Sequence, residues 1–196
     1  MKRLRSKSMR FIFLLLTSLF ISASYAQDQG YFLAKSALHL VNPQVEYDPS
    51  YYTLDYPNGD VPPHKGVCTD VIIRAYRLEG VDLQRLVHED MAVNFSAYPS
   101  NWGLTRPDRN IDHRRVPNLM TFFTRAGAKQ PFSENPSDYK PGDVVCWELP
   151  SGQLHIGLVV AKKGRSVELL HNLGYGQVVE ACLFDYPIIG HYRYWP

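Results

Sequence analysis

Gly66-Val67-Cys68-Thr69-Asp70-Val71-Ile72-Ile73-Arg74-Ala75-Tyr76-Arg77 follows a turn-rich run, Tyr56-Pro57-Asn58-Gly59-Asp60-Val61-Pro62-Pro63. Apolar side chains then recur at helical spacing (Val71, Ile72, Ala75, Tyr76, Leu78), and Gly80 supplies a stop. The spacing predicts a helix packed on a core with Cys68 in its first turn. Unpaired backbone N–H groups and the positive helix end favour a thiolate there, the reactive form of cysteine. Taken alone, this stretch favours reading Cys68 as a small buried hydrophobe, as free cysteines usually are.

Upstream, Tyr31 to Val41 carries an amphipathic pattern ended by Asn42-Pro43, and Val45 to Leu54 reads as extended. Downstream, Asp82 is placed to N-cap a second helix running to about Phe95. Pro117 opens a third helix that ends at Gly127. Between them, residues 97–116 form a long irregular segment, which Trp102, Ile111 and mixed charges mark as ordered. From Asp143 the character changes. Asp143 to Trp147, Leu154 to Ala161, Ser166 to His171, Gln177 to Leu183 and Ile188 to Trp195 read as strands separated by turn residues. Helices first and strands second predict an α+β fold, its N-terminal helices packed on a C-terminal antiparallel five-stranded sheet or half-barrel arranged as a meander.

His155 opens the second of these strands, sharing a face with Gly157 and Val159 by alternation. Gly157 leaves room beside the imidazole. The next strand ends in His171-Asn172. A three-residue loop, Lys162-Lys163-Gly164, pairs Ala161 with Arg165 and sets His155 opposite His171. A two-residue turn at Lys163-Gly164 sets Asn172 there instead. Gly164 late in the loop favours His171. Cys68 as nucleophile, His155 as base and His171 as orienting group then describe a triad attacking a carbonyl, with Asn172 as the alternative third member. Backbone N–H groups at the helix start can stabilise the oxyanion.

The first 26 residues belong to a different regime. Lys2, Arg3, Arg5, Lys7 and Arg10 precede the apolar run Phe11 to Ile21, and Ser24-Tyr25-Ala26 follows. That order describes a secretory signal peptide cleaved after Ala26, leaving residues 27–196 as a single exported domain, periplasmic or secreted. The apolar run is shorter than the ~20 residues of a membrane span. Without these residues, 16 Lys and Arg face 19 Asp and Glu, a net charge of −3 against +2 for the whole sequence. That balance gives no basis for nucleic-acid binding. Three cysteines allow one disulfide at most; Cys146 and Cys182 can pair or remain separate buried thiols.

Several stretches carry a resemblance. Cys68 opening a helix, Pro141-Gly142-Asp143-Val144-Val145, His155-Ile156-Gly157-Leu158-Val159 and His171-Asn172 are similar to the NlpC-type papain-like peptidases of bacterial cell walls. More closely, the chain after residue 26 resembles the bacterial family called domain of unknown function 1287. The matching stretches are Tyr47-Asp48-Pro49, Gly59-Asp60-Val61-Pro62, Gly66 to Asp70, Asn110 to Asn118 and Phe184-Asp185-Tyr186-Pro187. The resemblance implies a papain-like cysteine hydrolase, an amidase or endopeptidase, acting on peptidoglycan stem peptides. Acyl transfer by the same thiol and a non-catalytic wall- or peptide-binding module are the alternatives. The nucleophile motif departs from the usual Asp-Cys-Ser-Gly, reading Val67-Cys68-Thr69-Asp70.

Asp112-His113-Arg114-Arg115 is a candidate for holding a carboxylate of a wall peptide, or else an ion-pair network pinning its loop. Tyr56 is a candidate cleft residue. Cys68, His155 and His171 as zinc ligands are a rival reading, but the sequence carries no close ligand pair such as His-x-x-x-His, and no metal or cofactor is expected. His39, His64, His88 and His191 have no assignable partner and read as surface or packing residues. A monomer is expected.

Overall fold

A computed structural model of the protein describes residues 29–196. The anticipated signal peptide lies outside the described residues. Helix α1 covers residues 29–37 and runs into a 3-10 turn at Leu38–Leu40. Helix α2 spans Cys68–Leu78, α3 Leu83–Asn94 and α4 Val116–Arg125. Asp82 caps α3 by accepting from the backbone N–H of Arg85 at 3.1 Å. Gly127, with φ 73°, ends the turn after α4.

The extended stretch near residue 47 contributes only β1 (Glu46–Tyr47), which pairs in parallel with β2 (Lys65–Gly66). Five strands form the main sheet: β3 (Val144–Glu148), β4 (Leu154–Lys163), β5 (Ser166–His171), β6 (Val178–Glu180) and β7 (Ile188–Tyr192). All neighbouring pairs are antiparallel, in the order β6-β5-β4-β3-β7. The architecture is α+β, as the sequence pattern predicts. It is not a simple meander, because β7 crosses back to pair with β3 instead of extending past β6. A buried ion cluster accompanies that crossing: Asp143 accepts from Arg193 at 2.7 Å and pairs with Nε2 of His191 at 2.7 Å. His191 stacks on Tyr139 with ring centroids 4.3 Å apart, so this histidine is a core residue.

The sheet buries both faces. Val144, Cys146, Ile156, Leu158, Val160 and Leu170 meet Val71, Ile72 and Ala75 of α2 and Leu119 and Phe123 of α4. Val145, Trp147, Val159, Val167 and Leu169 pack instead under Tyr139, Cys182 and Leu183. The second layer explains why β4 is a nearly continuous apolar run: neither face is left to water.

Register between β4 and β5 differs from the expected hairpin. The turn is Gly164-Arg165, with Lys163 opposite Ser166 and Gly164 at φ 63°. A bulge between Val159 and Ala161 then shifts the pairing, giving Val159 opposite Leu169 and Leu158 opposite Leu170. Continued towards the strand end, this register sets His171 beside Gly157, two residues from His155.

Candidate active site

Helix α2 is anchored at its start by four side chains. The carboxylate of Asp70 accepts from the backbone N–H of Val67 at 2.7 Å, satisfying a donor that the helix leaves orphaned. Arg114 clasps the same carboxylate, with Nε 2.9 Å from Oδ1 and Nη2 3.0 Å from Oδ2. Its remaining donors reach the carbonyls of Ser50 and Asp48, and Thr69 donates to the carbonyl of Arg114 at 3.0 Å. Asn172, fully buried, donates to the carbonyl of Gly66 at 3.3 Å and accepts from Gly174. Asn172 therefore ties the end of β5 to the approach to Cys68, and among the described residues its hydrogen bonds go to Gly66 and Gly174, not to His155. The Thr-Asp that follows the cysteine is part of this anchor.

His155 and His171 meet. Nε2 of His155 lies 3.0 Å from Nδ1 of His171, the rings edge to face. The contact is diagonal across the strand pair, within reach of long side chains. It is possible because Gly157 has no side chain; a Cβ there would sit 3.3 Å from the Cβ of His171 and 3.1 Å from the Trp147 ring. Trp147, directly opposite His155 on β3, stacks on its imidazole at 5.6 Å and donates its own N–H to the carbonyl of Leu183.

A fourth group completes the row. Oε2 of Glu180, at the end of β6, lies 3.0 Å from Nε2 of His171. A carboxylate accepts only, so His171 carries its proton on Nε2 and presents the Nδ1 lone pair to His155. His155 then donates from Nε2, leaving its Nδ1 as the free base. Nothing in the spacing of Glu180 marked it beforehand. Its position follows from β6 pairing with β5, where Leu169 faces Glu180.

The sulfur of Cys68 approaches the start of β4 from the helix side, beside the backbone N–H of Ile156. The imidazole of His155 comes from the Trp147 side. Among the described residues no hydrogen bond joins them. Burial pushes the Cys68 thiol up to about 12, and the Asp70 carboxylate adds to this; the N–H groups of Ile156, Thr69 and Cys68 act in the opposite sense. Burial and the neighbouring His171 push His155 down to about 3. The expected helix-stabilised thiolate is therefore overturned. Cys68 is only 4% exposed, and desolvation outweighs the few N–H dipoles. The resting pair is thiol and neutral imidazole.

A cleft reaches both groups. One cavity of about 420 Å³ opens on Cys68 and one of about 540 Å³ on His155, and Tyr47, Trp102, Arg115, Val116 and Leu154 line both. Tyr47 lines the same cavity as Cys68, and burial raises its hydroxyl to about 12. The guanidinium of Arg115 stacks on Trp102 at 3.9 Å and donates from Nη1 to Asp112 at 3.2 Å.

The run 112–115 thus divides. Asp112 and Arg114 are internal ties, and His113 is buried with its Nδ1 unpartnered. Arg115 lines both cavities, whereas Arg114 borders only the one on Cys68 and spends its donors on Asp70 and backbone carbonyls. Tyr56 lies elsewhere, against His88 and under Arg109. The three cysteines are free. The residues whose metal-ligating atoms converge are His171, Glu180 and Cys182, not Cys68, His155 and His171.

Comparison with known proteins places the chain. The family model described as "Domain of unknown function (DUF1287)" matches residues 34–194. The chain belongs to the DUF1287 family. It is 52% identical over 165 residues to the uncharacterized protein YijF of Escherichia coli K12, covering 83% of this chain and 80% of that one. The structure of NlpC1 from Trichomonas vaginalis matches with a TM-score of 0.46 and 16% identity over 86% of this chain. The match spans 45% of that protein's length.

Proposed function

We propose that this DUF1287 protein is an exported cysteine hydrolase that cleaves an amide bond in peptidoglycan stem peptides, through Cys68, His155 and His171. The observation that carries the reading is the ordered row Glu180–His171–His155, which ends in a free imidazole nitrogen in the cleft that also reaches Cys68. A row of this kind fixes a tautomer at a defined place, the role of the orienting member of a triad.

In the reaction, Nδ1 of His155 takes the thiol proton as Sγ of Cys68 attacks the carbonyl carbon. The ring, then cationic, is held by His171 and Glu180 and returns the proton to the leaving nitrogen. Water hydrolyses the thioester by the same base. Thiol and imidazole are neutral at rest, so the ion pair forms as substrate closes the gap at the head of β4; catalytic contacts are often long in the free enzyme. The Ile156 N–H beside the sulfur and the Tyr47 hydroxyl in the same cavity are donors for the developing oxyanion.

Arg115 supplies the substrate preference. Its Nε and Nη2 have no partner among the described residues, and Trp102 holds the guanidinium plane in place. A planar cation fixed in this way suits a carboxylate of the stem peptide near the scissile amide.

The mature protein incubated with peptidoglycan is expected to release new muropeptides that Cys68→Ala protein does not. Identical profiles across several wall types overturn the hydrolase reading. They favour the second reading, a wall-peptide binding module with an inert thiol, for which the elevated Cys68 is the supporting observation.

A further inference from the structure

Three donor atoms of different chemistry converge behind the histidine pair, on the side away from the cleft. Nε2 of His171 lies 3.0 Å from Oε2 of Glu180 and 3.5 Å from Sγ of Cys182, and all three atoms fall within 4.8 Å of one another. One N–H therefore faces two acceptors, more than a hydrogen bond needs. Tetrahedral zinc holds nitrogen and oxygen at about 2.0–2.2 Å and sulfur at about 2.3 Å, so its N···O and N···S edges are roughly 3.3 and 3.6 Å. The N···S separation already matches, and the N···O separation needs a few tenths of an ångström of opening. His171 and Cys182 are buried, while the Glu180 side chain is 56% exposed and gives an ion a way in from solvent. Imidazole, carboxylate and thiolate together select zinc-class cations over magnesium or calcium.

We propose that His171, Glu180 and Cys182 form a binding site for a thiophilic divalent cation of the zinc class, completed by water, and that occupancy switches off the base at His155. The site itself stands on geometry; its effect rests on the hydrolase reading above. The switch follows from proton positions. Without metal, the two protons of the pair sit on Nε2 of His171 and Nε2 of His155. A cation on Nε2 of His171 displaces that proton and expels the thiol proton of Cys182 to solvent. His171 then carries hydrogen on Nδ1 and donates to Nε2 of His155. The second proton of the pair moves to Nδ1 of His155, the atom that takes the proton from Cys68. The number of protons on the two rings is unchanged, and the ring can no longer act as a base towards the sulfur.

Cobalt(II) added to Cys68→Ala protein reads the site without the nucleophile. One ion per chain with a thiolate-to-cobalt absorption band is expected, and the band is lost in Cys68→Ala/Cys182→Ala. A missing band, or one that survives the second substitution, overturns the site. The coupling is read on Cys68→Ala protein from the nitrogen NMR resonances of the His155 ring. Zinc is expected to move the ring hydrogen from Nε2 to Nδ1, reversibly with chelator, and Cys182→Ala is expected to abolish the change. A tautomer that zinc leaves unaltered, or that shifts equally without Cys182, overturns the switch. Neither measurement uses a substrate, so a failed hydrolase reading leaves both interpretable.

Discussion

At Cys68 two influences oppose each other, and burial wins. A helix start offers dipoles that stabilise an anion, but those dipoles act on a sulfur that Tyr47 covers and Asp70 faces. With the thiol raised to about 12, iodoacetamide should label Cys68 more slowly than free cysteine at pH 7, and the rate should climb as pH rises through the alkaline range. Labelling as fast as the free amino acid at pH 7 would contradict the neutral resting pair. The row beyond His155 makes a second prediction. On the proposed hydrolase mechanism, His171→Ala should lower kcat by about 10²-fold and Glu180→Gln by about tenfold, with KM little changed, because both would act on the orientation of His155. The sequence alone singled out Cys68, His155 and His171, whose residue types and strand or helix positions carry chemistry. It did not point to Tyr47, on a two-residue strand with no periodicity, or to Glu180, which depends on a third strand's register.

At the scale of elements, the start of α2 shows why neighbouring charges in a sequence need not share a job. Asp112, Arg114 and Arg115 are adjacent, yet the 3-10 turn Asp112–Arg114 sends Arg114 inward to Asp70 and leaves Arg115 at the cleft. Spacing could not divide them, because the turn is built by long-range ties such as Leu54 to Asn110 at 3.0 Å. The ion pair between Arg114 and Asp70 has both side chains 2% exposed. Replacing one partner leaves the other charge buried and alone. Arg114→Met is therefore expected to cost about 3–5 kcal/mol in denaturant unfolding. Helix limits were readable to within a residue or two because caps and stops are local: Asp82, Pro117 and Gly127 each act where the pattern placed them. The β4–β5 register was not, because the bulge near Val160 is invisible to alternation. The histidine contact arises despite the different register, through the space Gly157 leaves.

For the molecule as a whole, the sheet buried on both sides places titratable groups where water cannot follow them. The α+β order was legible from the switch in periodicity, but the crossing of β7 was not, since nothing local distinguishes the two sheet edges. Sensitivity to acid has its source away from the sheet, in the 3-10 turn Asp112–Arg114 packed against α2, α3 and α4. His113 is 2% exposed, and burial, reinforced by the cations Arg114 and Arg77 and by His88, lowers it to about 3. In the unfolded chain it titrates near 6.5. Between these values the unfolded state binds the extra proton and the folded state does not, so stability falls as pH drops from about 6.5 towards 3. His113→Leu removes this linkage together with an unpartnered buried nitrogen. Between pH 7 and pH 5, urea unfolding should therefore find the variant gaining about 2 kcal/mol on the wild type. An unchanged difference between the two proteins across that range would mean that His113 takes up its proton in the fold, through a route to solvent past Arg77 and His88.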